Sequence, residues 1–345
     1  MNEQGGITMK KLFISIIVLL ACLCWASPSH AEWTRIGLKN AKVYSIAIDP
    51  VNTETIYAGT IKFGIFKSTN GGSSWKRINS GITLKGADNI IYSIVIDPVN
   101  TETIYAGTRY GAFKSVNGGK RWKKLIVYPS YIAIYSLVID PGNSEIIYAG
   151  TSEDVFKSTN GGTSWNQLDT GILKNSIGPL AINPLNTQVI YVGAQWTKDS
   201  LFKSVDGGIS WSTVNLNQGL PLQVFALAID PEHTETIYAG TYRQGIFKST
   251  NGGASWSHIS PDSELLLQIN ALAVDPSNTE TIYSGTKGAY GGMFKSVDGG
   301  INWSMISMGI QKKTSVFSLF IDPANTEIIY AGTGHGIYKS TNGGL

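Results

Sequence analysis

The chain has 345 residues, 27 basic against 24 acidic side chains, and a formal charge of +3. So near a balance argues against a nucleic-acid or anionic-lipid partner recruited by bulk electrostatics. Its two cysteines, Cys22 and Cys24, both lie close to the N-terminus, so the rest of the chain holds no disulfide and no cysteine-ligated metal.

The first predicted element is an export signal. Starting from Met9, a better start than Met1, the chain has two lysines and an apolar run from Leu12 to Trp25. A polar stretch ending Ser29-His30-Ala31 follows. Small residues at the −3 and −1 positions predict cleavage between Ala31 and Glu32. The run is shorter than the ~20 residues that span a bilayer, so no transmembrane segment is expected after processing. A lipid anchor on Cys22, within the lipobox-like run Leu19-Leu20-Ala21-Cys22, is the alternative to a secreted or periplasmic protein. Setting aside Lys10, Lys11 and Glu3 leaves 25 basic and 23 acidic residues, a balance of +2.

Residues 32–345 repeat themselves. A segment resembling Ala47-Ile48-Asp49-Pro50 recurs with its acidic residue at Asp49, Asp97, Asp140, Asp230, Asp275 and Asp322, and with Asn183 in the fourth copy. The spacings are 48, 43, 43, 47, 45 and 47 residues. Each copy continues with a relative of Ile56-Tyr57-Ala58-Gly59-Thr60, then Phe-Lys-Ser or Tyr-Lys-Ser, then Asn or Asp followed by Gly-Gly, and in the first six copies then Trp. Short β-branched and aromatic runs bounded by Pro, Asn and Gly predict four strands per copy. In the first copy these are 45–49, 55–60, 64–68 and 74–78. Four strands every ~40–50 residues indicate propeller blades. The last copy stops at Leu345 before its Trp strand, while Trp33-Thr34-Arg35-Ile36 matches Trp75-Lys76-Arg77-Ile78. The expected fold is therefore all-β: one seven-bladed ring of four-stranded blades, closed when the N-terminal strand completes the C-terminal blade. Closure of this kind removes free sheet edges.

Ser204-Val205-Asp206-Gly207-Gly208-Ile209-Ser210-Trp211 resembles the Asp-box, or BNR, repeat. Proteins with that repeat include sialidases, the two-propeller xyloglucanases of glycoside hydrolase family 74, the sortilin ectodomain and the photosystem II assembly factors. A single ring of this size behind a signal is most similar to the last group, and that resemblance implies a non-catalytic propeller binding a protein or nascent complex. This chain departs from the repeat at Asn70, Asn117, Asn160, Asn251 and Asn342, where Asp is usual; Asp206 and Asp298 keep it. An amide oxygen can cap the turn as a carboxylate does. These seven positions are expected to be structural turns.

In an up-and-down blade, the first-to-second and third-to-fourth turns share one face. The second-to-third and blade-to-blade connections share the other, and here they vary. Loops on a rigid scaffold concentrate binding residues. The candidates on this variable face are Arg109, Tyr110, Trp196, Tyr242, Arg243, Lys287, Tyr290 and His335, because Arg with aromatic residues is the composition of interface hot spots. The lysines of the Phe-Lys-Ser segments (Lys67, Lys114, Lys157, Lys203, Lys248, Lys295 and, after Tyr338, Lys339) are expected to be solvated.

A sialidase-type clamp needs three arginines, and only Arg109 and Arg243 lie on that face. A glycosidase needs two carboxyls ~5–9.5 Å apart, for which Asp154 and Asp199, in adjacent blades, are the available pair. No metal, cofactor or catalytic residue is expected. The expected partner is a protein or protein complex, with a glycan or a xyloglucanase-like hydrolase activity as the alternative. No nucleic-acid partner is expected, and the protein is expected to be a monomer.

Overall fold

The computed structural model describes residues 33–83, 89–127, 132–172, 177–195, 201–216, 222–260, 268–288 and 291–344. These residues form seven antiparallel four-stranded sheets and no helix. In the first sheet the strands run Val43–Ile48, Ile56–Thr60, Ile65–Ser68 and Lys76–Arg77, from the axis outward. The first strands of neighbouring blades contact one another all the way round, which places them about the axis. The seventh sheet closes as expected: Thr34–Gly37 lies outermost, pairing Thr34 with Lys339 and Arg35 with Tyr338. Trp33 is 2% exposed and packs with Ile306 and Tyr338.

The strand limits differ from those read off the sequence in an instructive way. The outer strand shrinks to two paired residues, because the Asx-Gly-Gly turn and its Trp occupy the residues before it. The inner strand begins at Val43 instead of Ser45, and its register slips between Val43 and Ser45. A slip at the same place recurs in every blade, across one residue in six of them and across Gly178-Pro179 in blade four. A bulge leaves one residue out of the ladder and re-aims its side chain. That residue is where the candidate site forms.

Blades are joined by buried polar latches. The second-strand tyrosines, such as Tyr57, Tyr105 and Tyr148, are 1% exposed. The Tyr148 hydroxyl donates to the Gly207 carbonyl of the next blade's turn at 3.0 Å, and the Lys157 ammonium donates to the same carbonyl at 2.8 Å. Tyr105 with Lys114, Tyr191 with Lys203, and Tyr283 with Lys295 repeat the arrangement. Each ammonium also lies 5.1–5.5 Å from its tyrosine ring centre. The expectation that these lysines are solvated is thus corrected: they are half-buried ties between blades. Burial holds the ammoniums of Lys67, Lys157 and Lys295 below the usual lysine range. It also pushes the Tyr148 phenol up to about 12.

At the rim, the Asx and Ser side chains of each Asx-Gly-Gly turn bond within the turn. Ser68 donates to the Asn70 side-chain oxygen at 3.0 Å, that oxygen accepts from the Ser74 amide at 2.9 Å, and the Gly72 amide donates to Ser68 Oγ at 2.9 Å. Gly71 and Gly72 have φ of 62° and 93°, a region that side chains with a Cβ avoid. The Asp49 carboxylate accepts from the amides of Val51 and Asn52, and so caps the first-to-second turn.

Candidate functional site

The residue set free by the bulge in each inner strand faces the axis on the rim where the variable loops emerge. Going round from blade seven, these residues are Phe317, Tyr44, Tyr92, Tyr135, the Gly178-Pro179 pair, Phe225 and Asn270. Together with Gln195, Gln268 and Lys287 they line a cavity of about 510 Å³ at the mouth of the central channel. The rings form a continuous belt over four consecutive blades. Phe317 stacks on Tyr44 at 4.3 Å between centroids, Tyr44 meets Tyr92 edge-on at 6.4 Å, and Tyr92 meets Tyr135 edge-on at 5.2 Å. Offset and edge-on contacts of this kind hold rings in fixed orientations. Burial among its neighbours raises the Tyr44 phenol above the ordinary tyrosine value.

The belt is interrupted at blade four for a backbone reason. A Cβ on Gly178 would lie 2.8 Å from the carbonyl oxygens of both Gly193 and Val224. No side chain fits at Gly178, and blade four contributes Pro179 to the mouth in place of an aromatic ring. The gap at the other end of the belt, in blade six, is polar: Asn270 donates its amide to the Val316 carbonyl at 3.2 Å, beside Gln268 and Lys287.

The expected binding residues divide into two groups. Tyr242, Arg243 and Lys287 are brought together at blades five and six. Tyr242 packs against Phe225 at 6.3 Å, the Arg243 guanidinium lies 4.9 Å over the Tyr242 ring, and Gln268 bridges to Tyr242 while pairing with Lys287. Arg109, Tyr110 and His335 sit in tight turns, Arg109 and Tyr110 in blade two and His335 in blade seven; none of the three lines the mouth. The Tyr110 and His335 amides donate to the threonine hydroxyls that close those turns. Trp196 and Tyr290 lie outside the described residues, as do the expected signal segment and Asp199. Asp154, the other half of the expected carboxyl pair, is 7% exposed and committed locally: it accepts from Thr170, from Gln167 and from the Val155 amide.

The belt residues Tyr44, Tyr92, Tyr135, Phe225 and Phe317 are additions that sequence reasoning missed. Their signal was present: each follows a β-branched residue and precedes Ser or Ala at one fixed distance before the repeated Asp-Pro turn.

The fold and its axial mouth define a single-ring seven-bladed β-propeller. Residues 99–341 match the model of the DUF6242 beta propeller domain, and the chain belongs to that family. No curated protein matches it in sequence at a significant level. Among solved structures it is similar to the GH74 enzyme of Niastella koreensis, with a TM-score of 0.75 and 21% identity over 90% of this chain and 54% of that one. It is also similar to YCF48 from Cyanidioschyzon merolae, with a TM-score of 0.69 and 13% identity over 90% of this chain and 98% of that one. YCF48 bound to D1 peptide gives a TM-score of 0.65 and 12% identity, over 91% of this chain and 97% of that one. The chain thus spans about half the length of the GH74 enzyme and nearly all of YCF48. At these identities the likeness is one of fold.

Proposed function

We propose that this chain is an exported, non-catalytic binding propeller whose variable rim receives a segment of a partner protein at the axial mouth. The observation that carries the reading is the half-belt of pre-oriented aromatic rings with polar groups beyond its two ends, Gln195 in blade four and Gln268, Asn270 and Lys287 in blade six. Rigid aromatic anchors surrounded by adaptable polar groups are the composition of protein-recognition hot spots. The described lining contains neither a carboxylate nor a histidine, and Asp154 is engaged in its own turn. This supports binding over glycoside hydrolysis, which needs an acid and a base or nucleophile. The extent of the ring supports the same side, because it matches YCF48, including a form bound to D1 peptide, and only about half of the GH74 enzyme. The Asx-Gly-Gly turns are read as Asp-boxes in a structural role, and residues 1–31 as the cleaved signal that delivers the domain outside the cytoplasm.

Glycan binding is the competing reading, favoured by rings and amides lining one cavity. A photocrosslinking residue in place of Tyr135 at the mouth, with a control in place of Ile209 on the opposite rim, separates the two readings. Expressed in the native host, the Tyr135 form is expected to trap a defined protein segment that the Ile209 form does not. Oligosaccharide-array binding that Tyr92→Ala abolishes, with no protein adduct at Tyr135, would overturn the proposal.

A further inference from the structure

The overall charge is nearly balanced, yet the charges are unevenly placed on the outer wall. The two outward positions after the repeat Trp are Arg35 in blade seven (with Thr34), Lys76 and Arg77 in blade one, and Lys123 and Lys124 in blade two; all five are exposed. In blades three to six the same positions hold Asn166 and Gln167, Ser212 and Thr213, Ser257 and His258, and Ser304 and Met305. Blade two goes further. Lys120 and Arg121 stand where blades one, three and five have small neutral residues at the turn, and Ile126 stands where blades one and three to six have Asn, Asp or Ser. Ile126 is 76% exposed. Lysine on an edge strand protects against edge-to-edge pairing. Protection alone would call for charge on every blade, and it accounts for neither Lys120-Arg121, which lie outside the strand, nor an exposed isoleucine.

These departures converge on one feature. Arg121, Lys123, Lys124 and Ile126, with Lys114 and Val116, line a groove of about 710 Å³ between the outer edges of blades two and three. Val116 is 64% exposed. A carboxylate, Glu145, lies with the Lys114 ammonium near Gly161 at the blade-three side. Lys114 recurs in every blade and Val116 has exposed counterparts in Val205 and Val297, but no other blade combines the equivalents of Arg121, Lys123, Lys124 and Ile126, so the fold does not require that combination.

We propose that this groove, extended by the basic wall of blades one and seven, is a second docking surface that takes an acidic segment of a partner protein carrying aliphatic residues. Charge complementarity selects the acidic chain, since clustered cations with low-dielectric walls focus a local field even when net charge is small. The groove shape and the exposed Ile126 and Val116 select a peptide over a membrane. A bilayer would meet a flat face, whereas these residues flank a cleft on a convex side wall. The surface is separate from the axial mouth and does not depend on what binds there.

The test uses the full chain and a fluorescein-labelled peptide of glutamates with two leucines, followed by anisotropy at low and high salt. A leucine-free peptide and anionic phosphatidylglycerol vesicles serve as the other arms. The leucine-containing peptide is expected to bind. The double variant K123E/K124E is expected to weaken it at least about tenfold, as for loss of close charge pairs across an interface. Ile126→Ser is expected to weaken it about fivefold, and Lys287→Ala and Ser304→Glu to leave it unchanged. Thermal melts confirm that each variant is folded. The proposal is overturned if the leucine-free peptide binds equally well, if Ser304→Glu weakens binding as much as the double variant, or if vesicles bind and the peptide does not.

Discussion

Seven equivalent positions at the turn rim and seven at the axial mouth behave differently. At the rim, Asn70, Asn117, Asn160, Asp206, Asn251, Asp298 and Asn342 occupy one place in the same Asx-Gly-Gly turn, and the turn tolerates amide or carboxylate because either oxygen can accept the same amide hydrogens. At the mouth, the equivalent residues are aromatic in five blades, Gly-Pro in one and Asn in another. The polar groups of the rim turns are satisfied within the turn and by the Tyr and Lys of the neighbouring blade, which leaves little for a partner. Gly178 apart, where a Cβ has no room, the bulged residues satisfy nothing in the ladder and the fold leaves their identity open. Repetition marks what holds the ring together, and departure from it marks where a partner can be recognised.

That contrast can be broken by experiment, and the largest effect belongs to the scaffold. Trp33→Ala removes the buried anchor of the closing strand and is expected to cost about 3–5 kcal/mol of unfolding free energy, read from denaturant midpoints. Trp75→Ala is expected to cost less, because Trp75 is only half-buried. Gly178→Ala forces two backbone carbonyls apart and is expected to cost about 1–3 kcal/mol, measured the same way.

Tyr148→Phe deletes one of two donors to the Gly207 carbonyl. Since Lys157 remains, the expected cost is about 1 kcal/mol. A loss above about 3 kcal/mol would mean that the latch works only as a pair. Tyr92→Ala and Phe317→Ala sharpen the comparison from the other side. These half-exposed rings should change stability by less than about 1.5 kcal/mol while abolishing capture of the partner, so melting and binding should separate at the mouth and coincide at the latches.

The smallest effect is a pH dependence. Hydrogen bonds from Ser210, Ser204 and the Ile209 amide hold the Asp206 carboxyl down at about 2, and those from Asn302 and Ser296 lower Asp298. A depressed carboxylate stabilises the fold above its unfolded value, near 4, and loses that contribution as pH falls through its folded value. Between about pH 4 and pH 2, the melting temperature of the native chain should therefore fall slightly more steeply than that of Asp206→Asn. The five Asn turns supply no such slope.

Much of this fold could be read from the chain alone. The copy spacing, the truncated last repeat and the match of Trp33–Ile36 to Trp75–Ile78 carry the blade count and the closure, because each rests on local patterns that recur. Lys157 was misjudged because its acceptor is built by the next blade: Tyr148 lies opposite it in its own hairpin, but nothing near it in sequence shows that the Gly207 carbonyl will accept from its ammonium. The mouth was missed for a related reason. Strand alternation assigns Tyr44 to a ladder face or to the loop before Ser45, and only the register slip, imposed by pairing with Ile56–Thr60, turns it toward the axis.

By itself, then, the sequence determined the repeat, the turn chemistry and the way the ring ends meet, since these follow from residues within one copy or from comparison of copies. The tertiary structure alone decided which side chains share a cavity. Phe317 stacks on Tyr44, and Arg121 shares a groove with Thr163, only because closing the circle puts the edge of one blade against the next. The bulge repeats along the chain, but how neighbouring blades rotate against each other does not, and that rotation sets the contacts across the seam.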